Sequence, residues 1–315
     1  MSHNQSFALA ASIRDRLLNI ARANQEDFQG VLIRYAIERL LYRLYQSQYR
    51  DEFVLKGAML FILWSQEPHR ATQDLDLLCY GDNTVTHLEQ VFREICTTQV
   101  EEDALDFQAA TVQGIQIKEG QTYQGVRIRL TASLIGSRTR ISVQVDIGFG
   151  DSVFPSIQTI EFPTILKSFS SPVLKSYQRE TVIAEKFQAM VALGIANSRM
   201  KDFYDICYLA QHFSFDGQVL SQSIQATFER RSTPIPVEIP LALSSEFFED
   251  ASKQKQWQGF LKKGKLKLAS QELREVVQIL QVFLIPPMEA IAEGSSFNRC
   301  WTPSGLWQPI STGSN

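Results

Sequence analysis

Arg70-Ala71-Thr72-Gln73-Asp74-Leu75-Asp76-Leu77-Leu78 is the stretch whose reading decides the fold. Side chains alternate faces along a β-strand, so Asp74 and Asp76 point one way while Leu75 and Leu77 point into a core. Two carboxylates side by side repel, and burying either without a partner is costly. A divalent cation between them removes both problems, so the pair suggests a magnesium site. An Asp-x-Asp alone is common in ordinary acidic strands, and its neighbours must decide.

Upstream, the segment from Ser12 has a cap-like serine followed by apolar Ile13, Leu17, Ile20 and Ala21 at helical spacing. Gln25–Gln46 repeats the pattern through Phe28, Leu32, Tyr35, Ala36, Leu40 and Leu44. Lys56–Trp64 reads as a loop entering a buried helix. Strands are expected around Asp74–Leu78, Ile115–Ile117, Val126–Leu130 and Ile141–Ile147, with a helix near Thr86–Thr97. That order predicts an α+β fold, a mixed sheet with N-terminal helices on one face. Beyond Pro163 and Pro172 the pattern turns helical, over Arg179–Leu193, Met200–Phe213 and Leu273–Leu284, with an extended loop at Ser232–Pro240. The expected division is a core over 1–165, a helical C-terminal domain over 166–292 and a flexible tail over 293–315.

A net charge of −3 excludes a protein that coats nucleic acid non-specifically, while leaving room for a local basic groove. Cys79, Cys96, Cys207 and Cys300 are scattered without a CxxC, which argues against zinc and for reduced thiols. No apolar run reaching ~18–20 residues is evident, so the expectation is a cytoplasmic protein with no membrane partner. The lysines of 253–267 suit a solvated helix face or a weak nucleic-acid contact.

Four further positions carry chemistry. Gly57 precedes the acidic pair by one helix length, where a glycine lets backbone approach a phosphate; its plainer reading is a tight turn. Asp146 lies on the polar face of Ile141–Ile147, either solvated or beside Asp74 and Asp76 as a third carboxylate. Three carboxylates can position two Mg²⁺ ions that share their shell with substrate phosphates, and Asp146 could also take a proton from an attacking hydroxyl. Lys186 falls inside the apolar arc of its helix and needs an anion, a structural carboxylate or a nucleotide phosphate. Asp202 intrudes likewise, with Arg199 three residues earlier on the same side: a buried ion pair, or a carboxylate that orients Lys186 or contacts substrate. Asp205 sits at the boundary of that arc. These intrusions predict a polar cleft between the helical half and the sheet.

Taken together, these segments resemble the AbiEii-type nucleotidyltransferase toxins of type IV toxin–antitoxin systems, within the DNA polymerase β-like nucleotidyltransferase superfamily. Phe53–Leu60 with Arg70–Leu77, Val145–Asp151, Glu180–Ala189 and Ser198–Asp205 match its motifs in order, across about half the chain. The resemblance implies transfer of a nucleoside monophosphate from an NTP with Mg²⁺. It makes Gly57 and Ala58 the phosphate-contacting pair, Asp74, Asp76 and Asp146 the metal carboxylates, Lys186 and Asp202 catalytic positions, and Lys186 and Arg199 nucleotide contacts. Many members carry Gly-Gly or Gly-Ser where this chain has Gly57-Ala58, so the grip at Ala58 rests on main chain alone.

The implied acceptor is a hydroxyl on RNA, with tRNA 3′ ends compatible with the family, or on a protein; a cognate antitoxin is the implied partner. Arg127, Arg129, Arg138 and Arg140 could receive a phosphate backbone or form a salt-bridged face. Two other readings stand beside this one. A nucleotide-binding regulatory module without catalysis would keep the carboxylates idle, and metal-assisted phosphate-ester hydrolysis would normally employ several histidines, where only His69 lies near the motifs.

Overall fold

Period-two alternation in the middle of the chain builds the sheet that everything else is arranged on. The computed structural model describes residues 3–65, 69–70, 72–119, 123–137, 139–266, 272–303 and 305–310. The chain divides into two compact units, Met1–Gly150 with Gln158–Ser176, and Asp151–Ile157 with Tyr177–Asn315.

The first unit opens with α1 (His3–Ala23) and α2 (Phe28–Gln46), then β1 (Phe53–Lys56), a 3-10 turn at Gly57–Leu60 and the single turn α3 (Phe61–Trp64). Next come β2 (Asp74–Cys79), α4 (Val85–Thr97), β3 (Leu105–Glu119), β4 (Tyr123–Leu134), β5 (Arg140–Phe149), β6 (Gln158–Glu161) and β7 (Val173–Ser176). The seven strands form one mixed sheet in the order β3-β4-β5-β2-β1-β7-β6. The β2–β5 and β1–β7 pairs are parallel and the others antiparallel. Register puts Leu75, Leu77, Val145, Ile147 and Ile128 on one face, all buried. That face is covered by α2 and α4; Phe53 packs edge-on against Phe92 of α4 at 5.9 Å. The opposite face carries the polar residues. The α+β expectation holds.

Ser12 lies inside α1 and does not cap it, because the helix begins nine residues earlier. The cap comes at α2, where Asp27 accepts from the amide of Gly30. Along α2, Arg39 and Arg43 are buried on Asp103, a tertiary pairing that no local pattern announces.

The second unit contains α5 (Arg179–Leu193), α6 (Met200–His212), β8 (Phe215–Asp216), α7 (Gly217–Arg230), α8 (Ser245–Glu249), α9 (Ala251–Gly264) and α10 (Leu273–Ala292). It ends with β9 (Arg299–Thr302) and β10 (Leu306–Pro309), which join β8 in a three-stranded sheet. The frayed tail expected after Glu293 is therefore corrected for the described residues up to Ile310. Trp301 is 1% exposed, donates its indole N–H to Ala210 O at 2.7 Å and lies 4.8 Å from the ring of Phe283. Burying an indole outweighs the local preference of glycine and serine for open chain.

A second correction concerns α10, which at 20 residues is long and apolar enough to cross a membrane by composition alone. Its Val276, Val277, Leu280, Phe283 and Leu284 are buried, and it packs on α6 and α7 as a core helix of this unit. Along α9 the lysines are exposed except Lys253, which donates to Asn197 O at 3.0 Å.

Candidate active site

Strand register lines up a row of charges on the polar face of the sheet. Lys56 is paired with Asp76, Asp76 with Asp146, and Asp146 with Arg127, across β1, β2, β5 and β4. Neighbouring strands lie ~4.8 Å apart, so each charge feels the next. One row over, Gln144 stands between Asp74 and Arg129 in register and donates Nε2–H to Asp74 Oδ1 at 2.9 Å. The sequence-predicted Asp74, Asp76 and Asp146 thus share one face, on adjacent strands.

Gly57 closes this row at the end of β1. Its φ is +72°, and a Cβ there would overlap the Asp76 carboxylate. Only glycine lets the main chain turn this tightly against Asp76. The buried helix expected after it is instead a 3-10 turn followed by one α turn, with Ala58 half-buried in the first.

Asp146 departs from the simple triad reading. Both of its oxygens are held by Arg127, whose Nε and Nη2 donate at 2.7 Å each. This hydrogen bonding to Asp146 raises the Arg127 pKa further, and the charges of Asp74 and Asp76 add to the effect. Of the other arginines, Arg129 and Arg140 are exposed on the same face, and Arg138 lies outside the described residues.

Among the described residues no group of three or more His, Cys, Asp and Glu forms a ready cage for a metal. Mg²⁺ seldom uses one; it binds through one or two carboxylates and completes its octahedron with water and substrate phosphates. Asp74 and Asp76 offer that donor class from one strand face. The residues fit such an ion.

Lys186, Asp202 and Arg199 lie in the second unit and meet there. Lys186 Nζ donates to Asp202 Oδ1 at 2.6 Å and stands 2.8 Å from Asp205 Oδ2; Arg199 Nε is 2.7 Å from Asp202 Oδ2. Asp202 thus forms the ion pair with Arg199 and also accepts from Lys186. Asp202 and Asp205 are fully buried. Sequence reasoning left Asp205 at the arc boundary, although its spacing of three from Asp202 on one helix was the available signal. It also passed over Lys56, next to Gly57, and Asp151. Asp151 receives the Tyr177 hydroxyl at 3.1 Å and lies 3.5 Å from Arg231, which also reaches Glu185 at 3.4 Å.

The four cysteines are free thiols, and burial pushes Cys79 up to about 11 and Cys96 and Cys207 up to about 12. Cys79, Cys96 and Cys207 are buried packing residues, while Cys300 is half-buried.

Solved structures resemble the chain, two of them from one organism. One is the crystal structure of JHP933 from Helicobacter pylori, at 14% identity and TM-score 0.49, covering 85% of this chain and 98% of that one. The other is a crystal structure of a candidate nucleotidyltransferase from the same organism, at 14% identity and TM-score 0.47, covering 86% and 100%. No curated protein matches. The family model described as "Nucleotidyl transferase AbiEii toxin, Type IV TA system" matches residues 39–279, which include every site residue above. The chain belongs to the AbiEii nucleotidyltransferase toxin family.

Proposed function

We propose that this enzyme moves a nucleoside monophosphate from an NTP to a hydroxyl on RNA, with a tRNA 3′ end in view, or on a protein, using Mg²⁺. The observation that carries the reading is the register of Asp76 with Asp146 beside Gly57, which gathers carboxylates where main chain can approach a phosphate. In the reaction the acceptor oxygen attacks the α-phosphorus, the bond to the bridging oxygen breaks, and pyrophosphate leaves. Mg²⁺, when bound, neutralises charge on the phosphate oxygens. Asp74, Asp76 and, once Arg127 releases it, Asp146 are assigned to hold it. Gly57 and Ala58 are assigned to the phosphates through main chain, Asp146 to the proton of the attacking hydroxyl, and Lys186 to a phosphate, oriented by Asp202. Arg199 is assigned to the nucleotide through its link to Asp202.

The toxin role, a cognate antitoxin as partner and action in the cytoplasm follow from the family and belong to the same proposal. Toxicity on expression, relieved by co-expressing a neighbouring gene, tests that part.

A second reading, a nucleotide-binding module without catalysis, draws on the capture of Asp146 by Arg127. Incubation with each α-phosphate-labelled NTP, total RNA and lysate protein separates the two. Mg²⁺-dependent label on RNA or protein supports transfer and names the acceptor. Nucleotide binding without label from any of the four NTPs supports the module.

A further inference from the structure

Arg127 occupies the place where a cation is expected. Its guanidinium takes both oxygens of Asp146, one strand from Asp76, and the pair is partly exposed, with side-chain exposures of 28% and 20%. A guanidinium and a divalent ion on one carboxylate repel each other, so Asp146 joins a metal only when Arg127 has another anion to hold. A planar guanidinium fork matches a phosphate as well as it matches a carboxylate. The reaction supplies such an anion in the triphosphate.

We infer that Arg127 exchanges partners: it holds Asp146 in the nucleotide-free enzyme and a phosphate of the nucleotide in the bound one. The inference rests on the proposed use of Mg²⁺ and an NTP. Its consequence is an order of events. The free enzyme binds divalent ion weakly, because Arg127 supplies positive charge at Asp146. Metal enters with the nucleotide, whose phosphates draw Arg127 away and release the carboxylate. An arginine that merely braced the sheet would have no such two-sided effect.

The test uses the full chain, Mn²⁺ as a spectroscopic probe for free-metal binding, and the four α,β-methylene nucleoside triphosphates with Mn²⁺ for nucleotide binding. Wild type, Arg127→Gln, Arg127→Lys and Asp76→Asn are compared, with circular dichroism to confirm folding. Removing a neighbouring like charge moves a site's ion affinity by about tenfold or more. Arg127→Gln is expected to bind Mn²⁺ alone about tenfold more tightly than wild type, and the metal–nucleotide complex about tenfold more weakly. Arg127→Lys, which keeps charge and loses the fork, should retain weak Mn²⁺ binding and lose nucleotide affinity. Unchanged affinities in Arg127→Gln, or two affinities falling together, overturn the exchange. If wild type takes up no Mn²⁺ even with nucleotide, or Asp76→Asn binds it as wild type does, the metal assignment fails first and the exchange with it.

Discussion

Lys186 stands 2.8 Å from Asp205 while donating to Asp202 at 2.6 Å, so one ammonium serves two carboxylates that are closed to solvent. Together with Arg199 the cluster balances two negative charges against two positive ones. A lysine so engaged is fixed in direction, and any phosphate it meets is met by an oriented group. The pairing also ties α5 to α6. Lys186→Met should lower unfolding free energy by about 3–5 kcal/mol, since it leaves buried carboxylates short of a cation. Urea denaturation reads this directly, and a variant as stable as wild type refutes the structural half of the pairing. Full activity at equal folded fraction removes Lys186 from the chemistry.

Gly57→Ala puts a Cβ into the Asp76 carboxylate at a backbone φ of +72°. The carboxylate or the turn must shift, and displacing a reacting arrangement by ~1 Å costs about 100-fold in rate. The expected result is a folded variant with transfer reduced by about that factor. Retention of more than half the wild-type rate contradicts the contact's role.

Glu38 is 1% exposed, and its Oε2 accepts from the amide of Ile165 at 2.6 Å. It lines a cavity of about 520 Å³ together with Ala58, Met59 and Ser65. Burial pushes its pKa from 4.5 up to about 7, against the pull of the Ile165 amide and Arg39. The folded chain therefore keeps this proton while the unfolded chain has already lost it. The contribution to stability is complete below pH 4.5 and is lost as pH rises toward 7, by about 3 kcal/mol. Glu38→Gln cannot titrate, so its stability relative to wild type should rise across that window. A difference that stays constant from pH 5 to 8 refutes the shifted carboxyl.

Trp301→Ala removes a buried indole from its contact with Phe283 and its bond to Ala210 O. A loss of about 3–5 kcal/mol is expected. A loss under 0.5 kcal/mol, by denaturant titration, would return the C-terminal strands to the status of a tail.

Sequence reading succeeded where one period dominates a segment. Strands β2, β4 and β5 have one buried and one polar face, so Asp74, Asp76 and Asp146 could be placed on a common side before any register was known. Helices α5 and α6 exposed Lys186 and Asp202 as charges on apolar arcs. It failed where the deciding term is tertiary. Strand β1 is buried at all four positions and shows no alternation, so nothing in the pattern marks it as a strand, and only its last residue, Lys56, falls in the segment expected to be a loop. The salt-bridged alternative for Arg127 is realised, but its partner Asp146 lies 19 residues away and is brought opposite only by register. Trp301 sits among residues that favour open chain, and its burial depends on Phe283 and Ala210 far upstream. Asp205 needed only a slightly wider arc.

The carboxylates of β2 are the centre of the account, and Asp76→Asn tests them with the least change in shape. Label transfer from α-phosphate-labelled NTPs to RNA or protein should be Mg²⁺-dependent in wild type and fall by at least about 100-fold in the variant, with circular dichroism and thermal unfolding confirming that it is folded. Transfer by folded Asp76→Asn at the wild-type rate, or transfer by wild type that persists undiminished in EDTA, would contradict the assignment.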